Sequence, residues 1–214
     1  MKEVTAAQLK EALLAVCNRI IVSEDMLTQL DTIIGDGDHG YGMRVGFSAM
    51  EKELNTHDYE TPYDLLWNAG LTLIKVMGGT SGVIFGTFFI GGLDAVKGKK
   101  ALTVQDFAAF FDGSTKAIHK RGQVDKGDKT MYDALAEGSE TMNELAKKPD
   151  ISIEAAFQRM AIATRDGVEK TRNMMSQKGR SKNFRDKTIG HPDTGAVSTY
   201  LIIESLSSSF SMMS

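Results

Sequence analysis

Apolar residues recur at spacings of three and four along most of the chain. Between Thr5 and Ser23, leucine, valine, cysteine and isoleucine side chains share one helical face, and Thr5 is a residue type that caps helix N-termini. No alternating strand pattern of useful length occurs. The nearest one, residues 85–90, is enclosed by glycines and fits a helix better. The pattern therefore predicts an all-α protein.

The predicted helices follow one another with short joints. Thr61 and Pro62 mark a clear helix start, because threonine is a good cap and proline fits the first helical position. Residues 177–192, rich in lysine, arginine and glycine, form the one long loop. Eight or so helices joined in this way predict a bundle or a helical barrel. The predicted spans are 5–23, 24–34, 42–54, 61–76, 80–96 with Thr80 or Ser81 as cap, 103–119, 129–147, 152–175 and 194–209.

Length and composition limit the possible functions. The 214 residues, of which 42% are hydrophobic, suffice for one well-filled core, so we expect a single domain over residues 1–214. A net charge of −3 argues against a nucleic-acid partner. The longest apolar stretch, residues 82–93, is too short to span a membrane, and the N-terminus lacks a signal-peptide pattern. We therefore expect a cytoplasmic protein, with the lone Cys17 in its core.

A short glycine-rich segment carries the most informative chemistry. Asp31, Asp36 and Asp38 lie within eight positions, and no lysine or arginine is nearer in sequence than Arg44. Carboxylates held this close need an opposite charge. Their oxygens suit Mg²⁺ or Ca²⁺, and Mg²⁺ is often shared between one or two carboxylates and the phosphates of a substrate. The segment therefore indicates a metal site for a nucleotide phosphate.

Other interpretations of the same segment are weaker. An EF-hand loop counted from Asp36 needs a polar ligand at its fifth position, glycine at its sixth and glutamate at its twelfth. This chain has Gly40, Tyr41 and Phe47 at those positions. Residues 35–40 match the dinucleotide fingerprint G-x-G-x-x-G, but Asp36 and Asp38 would repel a pyrophosphate unless a metal intervened. A solvated turn, with aspartate and glycine present for turn geometry and capping, stays open.

Two further glycine segments precede predicted helices. Residues 78–82 are suited to a phosphate cradle, because the N–H groups at a helix start attract anions; a plain capped turn is the alternative. Residues 122–131 resemble a P-loop, but Asp128 interrupts the required run and no strand precedes it. We expect a helix to begin at Lys129 with Asp128 as its cap. Met131 packs either on a nucleobase or in the core.

The segment before the last helix offers a third anion site. Asp193 or Thr194 can cap that helix, which leaves the N–H groups of Gly195 and Ala196 free to face a ligand. His191 either hydrogen-bonds the loop or joins the site. On the preceding basic loop, Arg180 and Lys187 are suited to phosphate oxygens, or are simply solvated.

These segments, taken in order, resemble a known family. Residues 30–31, 35–40, 78–82, 127–131 and 189–196 are similar to motifs of the nucleotide-binding L subunit of dihydroxyacetone kinase, over nearly the whole chain. The resemblance implies an antiparallel eight-helix barrel that holds ADP or ATP at one end. It also implies two Mg²⁺ ions bound by Asp31, Asp36 and Asp38, which would thereby serve catalysis.

The resemblance also implies which residues line the nucleotide. Three positions depart from the family pattern, with Gly42 where asparagine is frequent, Lys187 where arginine is frequent and Thr194 where proline is frequent. The implied lining, together with the candidates from the glycine segments and the basic loop, comprises His39, Gly40, Tyr41, Gly42, Gly79, Thr80, Ser81, Gly122, Met131, Arg180, Lys187, Asp193, Thr194 and Gly195.

Partners follow from the same resemblance. A separate K subunit of the family holds a short-chain ketose covalently through a histidine, so catalysis is expected to need that partner. The phosphoryl donor is either free ATP or a phosphotransferase-system protein that rephosphorylates a resident ADP. A homodimer stays open. A nucleotide-loaded regulatory or binding module is the alternative function, although a full set of metal ligands favours the enzyme.

Overall fold

The computed structural model describes residues 1–214 and is built almost entirely of helices. Two strands of two residues, β1 (Val4–Thr5) and β2 (Ala101–Leu102), pair antiparallel. Leu93–Ala95 and Ser181–Thr188 form 3-10 helices. The all-α prediction is confirmed. The α-helices are α1 (Ala6–Val22), α2 (Glu24–Ile34), α3 (His39–Thr56), α4 (Pro62–Val76), α5 (Gly79–Ile90), α6 (Val104–Gly122), α7 (Met131–Leu145), α8 (Ile153–Thr171) and α9 (Thr194–Met212).

Eight of these helices pack in a closed order. α1 packs against α3, each helix from α3 to α9 packs against the next, and α9 packs back against α1, while the short α2 lies against α3 and α9. Their apolar faces meet in one cluster of 43 buried residues. At its centre Phe157 contacts Phe107, Phe111 and Phe210 edge to face. This neighbour order fits the implied eight-helix barrel, which itself stays a prediction.

Local sequence determines most helix starts as expected. Thr5 accepts a hydrogen bond from the backbone N–H of Gln8 at 3.3 Å. Thr61 accepts one from the N–H of Asp64 at 3.1 Å, and Pro62 is the first residue of α4. These contacts satisfy amide groups that have no partner within their own helices.

Several predicted boundaries are wrong. α3 begins at His39, three residues before the predicted start at 42. The residue before α5 is Gly78, which has a positive φ angle of 66°. No side chain caps this helix, so neither Thr80 nor Ser81 is its cap. The helix ends at Ile90 and not at 96. Gly92, just beyond this end, lies so close to the backbone of Phe110 that a Cβ there would meet the carbonyl oxygen at 1.9 Å.

The start of α7 also differs from the prediction. Lys129 is left-handed (φ 62°) and therefore cannot begin a helix. Thr130 is the cap in place of Asp128, and its own N–H donates to the carboxylate of Asp133 at 2.8 Å. α8 ends at Thr171, not at 175. The predicted loop at 177–192 contains the 3-10 helix Ser181–Thr188.

The ends of the helices alternate around the ring. N-terminal residues of α3, α5, α7 and α9 and C-terminal residues of α2, α4 and α6 line the same cavity. The chain contains no helix with the length and apolarity needed to cross a bilayer. The alternation gathers the polar ends of the helices, where backbone groups lack partners, at one end of the molecule.

Candidate functional site

A cavity of about 910 Å³ lies where those helix ends meet. Four helix N-termini line it, those of α3, α5, α7 and α9. The free N–H groups and the positive end of the dipole at each N-terminus favour an anion. The cavity is thus electrostatically suited to phosphate groups.

Three carboxylates stand together on one side of this cavity. Oxygens of Asp31, Asp36 and Asp38 all lie within 4.8 Å of one another. Asp31 is on α2, and the other two are in the turn between α2 and α3. The turn is fixed by the backbone N–H groups of Gly37 and His39, which donate to the Asp31 carboxylate at 2.9 and 3.3 Å. Burial and the neighbouring Asp31 charge raise the pKa of Asp38.

Arg180 supplies the positive charge that the acidic turn lacks in its own sequence neighbourhood. Its guanidinium donates to the Asp38 carboxylate at 2.5 Å and also contacts Asp36. The residue lies just before the 3-10 helix Ser181–Thr188. Three hard carboxylate ligands at this spacing fit a divalent cation such as Mg²⁺, for which oxygen donors are preferred.

His39 lies at the start of α3 beside the acidic turn, where burial disfavours its charged form. Burial lowers its pKa to about 4, an effect that Asp31 opposes. Its Nε2 is 2.8 Å from the hydroxyl of Ser198 on α9, and its ring centroid is 6.1 Å from that of Phe85. The neutral imidazole therefore joins α3 to α9 and α5 at the cavity wall.

The glycines before and at the start of α5 leave backbone open to the cavity. Gly78 and Gly79 both have positive φ angles, 66° and 57°, and a Cβ at either position would meet nothing within 4 Å. Glycine is needed here because of the backbone conformation, since a side chain would have room. Thr80 and Ser81 follow in the same lining. This start is suited to an anion that approaches the backbone closely.

The N-termini of α7 and α9 lie side by side. A Cβ on Gly195 would stand 3.5 Å from the Cβ of Met131. Asp193 caps α9 by accepting from the N–H of Ala196 at 2.8 Å. Burial raises the pKa of Asp193 to about 7, although this cap and the nearby Lys129 act in the opposite direction. The paired helix starts form a second group of N–H donors in the cavity.

One part of the cavity is apolar. Ile84 and Phe85 on α5, Ile118 on α6, Val124 and Met131 line it, and Met131 is 5% exposed. A wall of this kind suits the flat face of a nucleobase, while the helix starts suit the phosphates.

Most of the residues proposed from the sequence meet in this cavity. Gly40 and Lys187 do not line it. A Cβ at Gly40 would lie 2.3 Å from the carbonyl oxygen of Glu24, so this glycine packs α3 against α2, and Lys187 is exposed on the 3-10 helix. His191 lies outside the lining too. Those within it are Asp31, Asp36, Asp38, His39, Tyr41, Gly42, Gly79, Thr80, Ser81, Gly122, Met131, Arg180, Asp193, Thr194 and Gly195.

Sequence reasoning missed other lining residues. Lys178 donates to the carbonyl of Gln123 at 2.5 Å and so ties the basic loop to the segment after α6. It could have been found only as one of several basic loop residues. The sequence predicts a helix start at Lys129, because no local pattern indicates a left-handed lysine. Ile84 and Ile118 look like ordinary core positions.

The fold and the cavity together define a class of all-helical protein in which helix N-termini and an acidic trio share one site. The chain belongs to the DAK2 domain family, whose model matches residues 33–208. This match and the two relatives described next confirm the resemblance to the L subunit of dihydroxyacetone kinase.

Two relatives match over most of their length. The ADP-binding subunit DhaL of the PEP-dependent dihydroxyacetone kinase of Escherichia coli K12 is 32% identical over 191 residues, which cover 89% of this chain and 90% of the relative. The corresponding subunit of PEP-dependent dihydroxyacetone kinase 2 of Listeria innocua is 33% identical over 181 residues, covering 84% and 83%.

A solved structure shows the same fold. The dihydroxyacetone kinase from C. freundii in complex with AMP-PNP and Mg²⁺ superimposes with a TM-score of 0.73 at 23% identity. The match covers 98% of this chain and 35% of that one.

Proposed function

We propose that this chain is the ADP-binding subunit of a dihydroxyacetone kinase and holds Mg²⁺ and an adenine nucleotide in the 910 Å³ cavity. One observation carries the proposal: the carboxylate oxygens of Asp31, Asp36 and Asp38 lie within 4.8 Å of one another in a cavity that four helix N-termini share. The names of the E. coli and Listeria relatives support the choice of ADP.

Each part of the cavity has a role under this proposal. Asp31, Asp36 and Asp38 would hold Mg²⁺, two ions by the family resemblance, and bound Mg²⁺ offsets the charge of the phosphates. The N–H groups at the starts of α5, α7 and α9 would bind the phosphate oxygens. The apolar wall, with Phe85 and Met131, would receive the adenine and exclude water from it.

The remaining steps need partners. The ketose would lie on a separate K subunit, and its hydroxyl oxygen would accept the phosphoryl group. A phosphotransferase-system protein would supply the next phosphoryl group while ADP stays bound; free ATP is the other possible donor. We assign no general base to this chain, because the hydroxyl that loses its proton would lie on the K subunit and the Nε2 of His39 faces the hydroxyl of Ser198 at 2.8 Å. Phosphoryl transfer depends mostly on positioning and charge neutralisation.

Reconstitution tests the proposal. The chain is mixed with a cognate K subunit, dihydroxyacetone and either ATP or phosphoenolpyruvate with the phosphotransferase-system proteins. We expect dihydroxyacetone phosphate to form with phosphoenolpyruvate, and the ADP to remain with the chain through gel filtration. Formation with ATP alone, together with rapid nucleotide exchange, would assign the chain to the ATP-dependent type. No ketose phosphate with either donor would refute the kinase and leave the regulatory module.

A further inference from the structure

Lys129 is the one lysine among the largest fully buried side chains of the protein, at 1% exposure. It lies between the end of α6 and the start of α7 in a left-handed conformation (φ 62°), which costs free energy for any residue except glycine. A buried ammonium is costly as well, unless polar groups surround it. Such a residue is retained only where its contacts compensate for both costs.

The contacts of Lys129 join three elements. Its ammonium donates to the carbonyl of Thr171, the last residue of α8, at 2.6 Å and to the carbonyl of His191, before α9, at 2.5 Å. The same end of α8 is tied to α9 a second time, because the N–H of Asp193 donates to the hydroxyl of Thr171 at 2.9 Å. Lys129 thus fixes the starts of α7 and α9 relative to each other.

The positive charge of Lys129 also opposes the charges of two carboxylates at these helix starts. Asp133 accepts from the N–H groups of Gly127 and Thr130 at 2.6 and 2.8 Å, and Asp193 caps α9. Asp133 is buried at the start of α7, whereas Asp193 is half-buried and lines the cavity at the start of α9; burial has raised the pKa of Asp193 and lowered that of Lys129. Without the ammonium, an anion at these helix starts would face both carboxyl groups with no buried cation beside them.

We infer that Lys129 is a positioning residue for the phosphate groups of the bound nucleotide: its ammonium holds the N-termini of α7 and α9 together and offsets Asp133 and Asp193. The inference rests on the proposed nucleotide site and adds to it a residue that acts through these helix starts. Since the adenine is proposed to lie against the apolar wall, the loss of Lys129 should weaken the binding of the phosphates far more than the binding of the base.

Isothermal titration of Lys129→Met with ADP and Mg²⁺ tests this role. Methionine keeps most of the length of the side chain without its charge. Loss of a charged hydrogen-bond donor predicts ADP binding weaker by about tenfold or more. Adenosine, followed by ligand-observed NMR, should bind as it does to the wild type. Lys126→Met is the matched control, because Lys126 lies in the same segment but pairs with Glu137 and Glu140 at the surface; its ADP affinity should be unchanged.

The outcomes separate the two proposals. If the wild-type chain binds no ADP, the proposed function fails. If the wild type binds ADP and Lys129→Met binds it equally well, or if ADP and adenosine are weakened to the same degree, the positioning role fails and the proposed function stands.

A measurement on the wild type covers the case in which Lys129→Met does not fold. In ¹H–¹⁵N spectra of lysine ammonium groups, exposed lysines exchange too fast to be seen near neutral pH, whereas a buried, hydrogen-bonded ammonium persists. We expect one such signal, and we expect it to shift on addition of ADP with Mg²⁺ but not of adenosine. A persistent signal whose chemical shift does not change on addition of ADP with Mg²⁺ would overturn the inference.

Discussion

The guanidinium of Arg180 donates to the carboxylate of Asp38 at 2.5 Å, although 142 positions separate the two residues in the sequence. The same guanidinium contacts Asp36. Arg180 is therefore paired with two of the carboxylates that are proposed to bind Mg²⁺. An arginine in this position competes with a divalent cation for the same oxygens and is suited to phosphate oxygens once the cation is bound.

Removal of this arginine should change metal and nucleotide binding in opposite directions. Arg180→Gln should tighten the binding of Mn²⁺ without nucleotide by about two- to fivefold, since an exposed ion pair contributes up to about 1 kcal/mol. The same variant should weaken the binding of Mg-ADP. Titration with Mn²⁺ followed by EPR, and with ADP by calorimetry, measures the two effects. Lys182→Gln, an exposed lysine two residues further on, is the control. Unchanged Mn²⁺ affinity in Arg180→Gln would exclude the competition.

Asp36→Asn should abolish phosphoryl transfer in the reconstituted system and weaken Mg-ADP binding. Asp36 is exposed, so its replacement should change the metal-free melting temperature little. Calorimetric titration and thermal unfolding without metal check both points. Asp94→Asn, at an exposed position outside the cavity lining, should behave as wild type in every assay. Normal transfer by Asp36→Asn would show that this carboxylate is not a ligand.

Gly42 is a helical position where a side chain has room. A Cβ there would meet nothing within 4 Å, and the residue lines the cavity. Gly42→Ala should stabilise the protein by roughly 0.5–1 kcal/mol, because alanine is the better helix former. Gly42→Asn restores the residue frequent in the family and adds an amide donor at the cavity, so we expect tighter ADP binding than in Gly42→Ala. Equal affinities of the two variants would show that this position does not reach the nucleotide.

Asp193 predicts a pH dependence of stability in the nucleotide-free protein. Its pKa rises from 3.8 to about 7 on folding, so the folded state binds the proton more tightly than the unfolded state. This contribution to stability is complete below pH 4 and is lost as the pH rises through about 7. Asparagine caps a helix equally well and carries no charge. The melting temperature of Asp193→Asn relative to wild type should therefore rise between pH 5 and pH 8. A constant difference across that range would contradict the raised pKa of Asp193 in the folded state.

The sequence predicted most of the helices because their signals are local. Caps such as Thr5 and Thr61 act within four residues, and the apolar spacing acts within two turns. The start of α7 was misplaced because the left-handed Lys129 is held by carbonyl groups of Thr171 and His191, which are 42 and 62 positions away. No local pattern reports contacts of that kind.

In the candidate site, too, the features that depend on local sequence were predictable and those that depend on helix packing were not. Asp31, Asp36 and Asp38 could be grouped from sequence because one turn brings them together. The pairing of Arg180 with that turn and the apolar wall of Ile84 and Ile118 depend on how the helices pack, so sequence reasoning proposed the first only as a phosphate contact and missed the second. Lys187 was a candidate by charge alone, and the fold leaves it exposed outside the cavity.

The most direct test of the central claim is a crystal structure of the protein with ADP and Mn²⁺, with the metal located by its anomalous scattering. We predict anomalous peaks within about 2.3 Å of oxygens of Asp31, Asp36 and Asp38, with the diphosphate on the far side of the metal and the adenine against the apolar wall. Carboxylates without a metal peak, or ADP bound outside this cavity, would contradict the account.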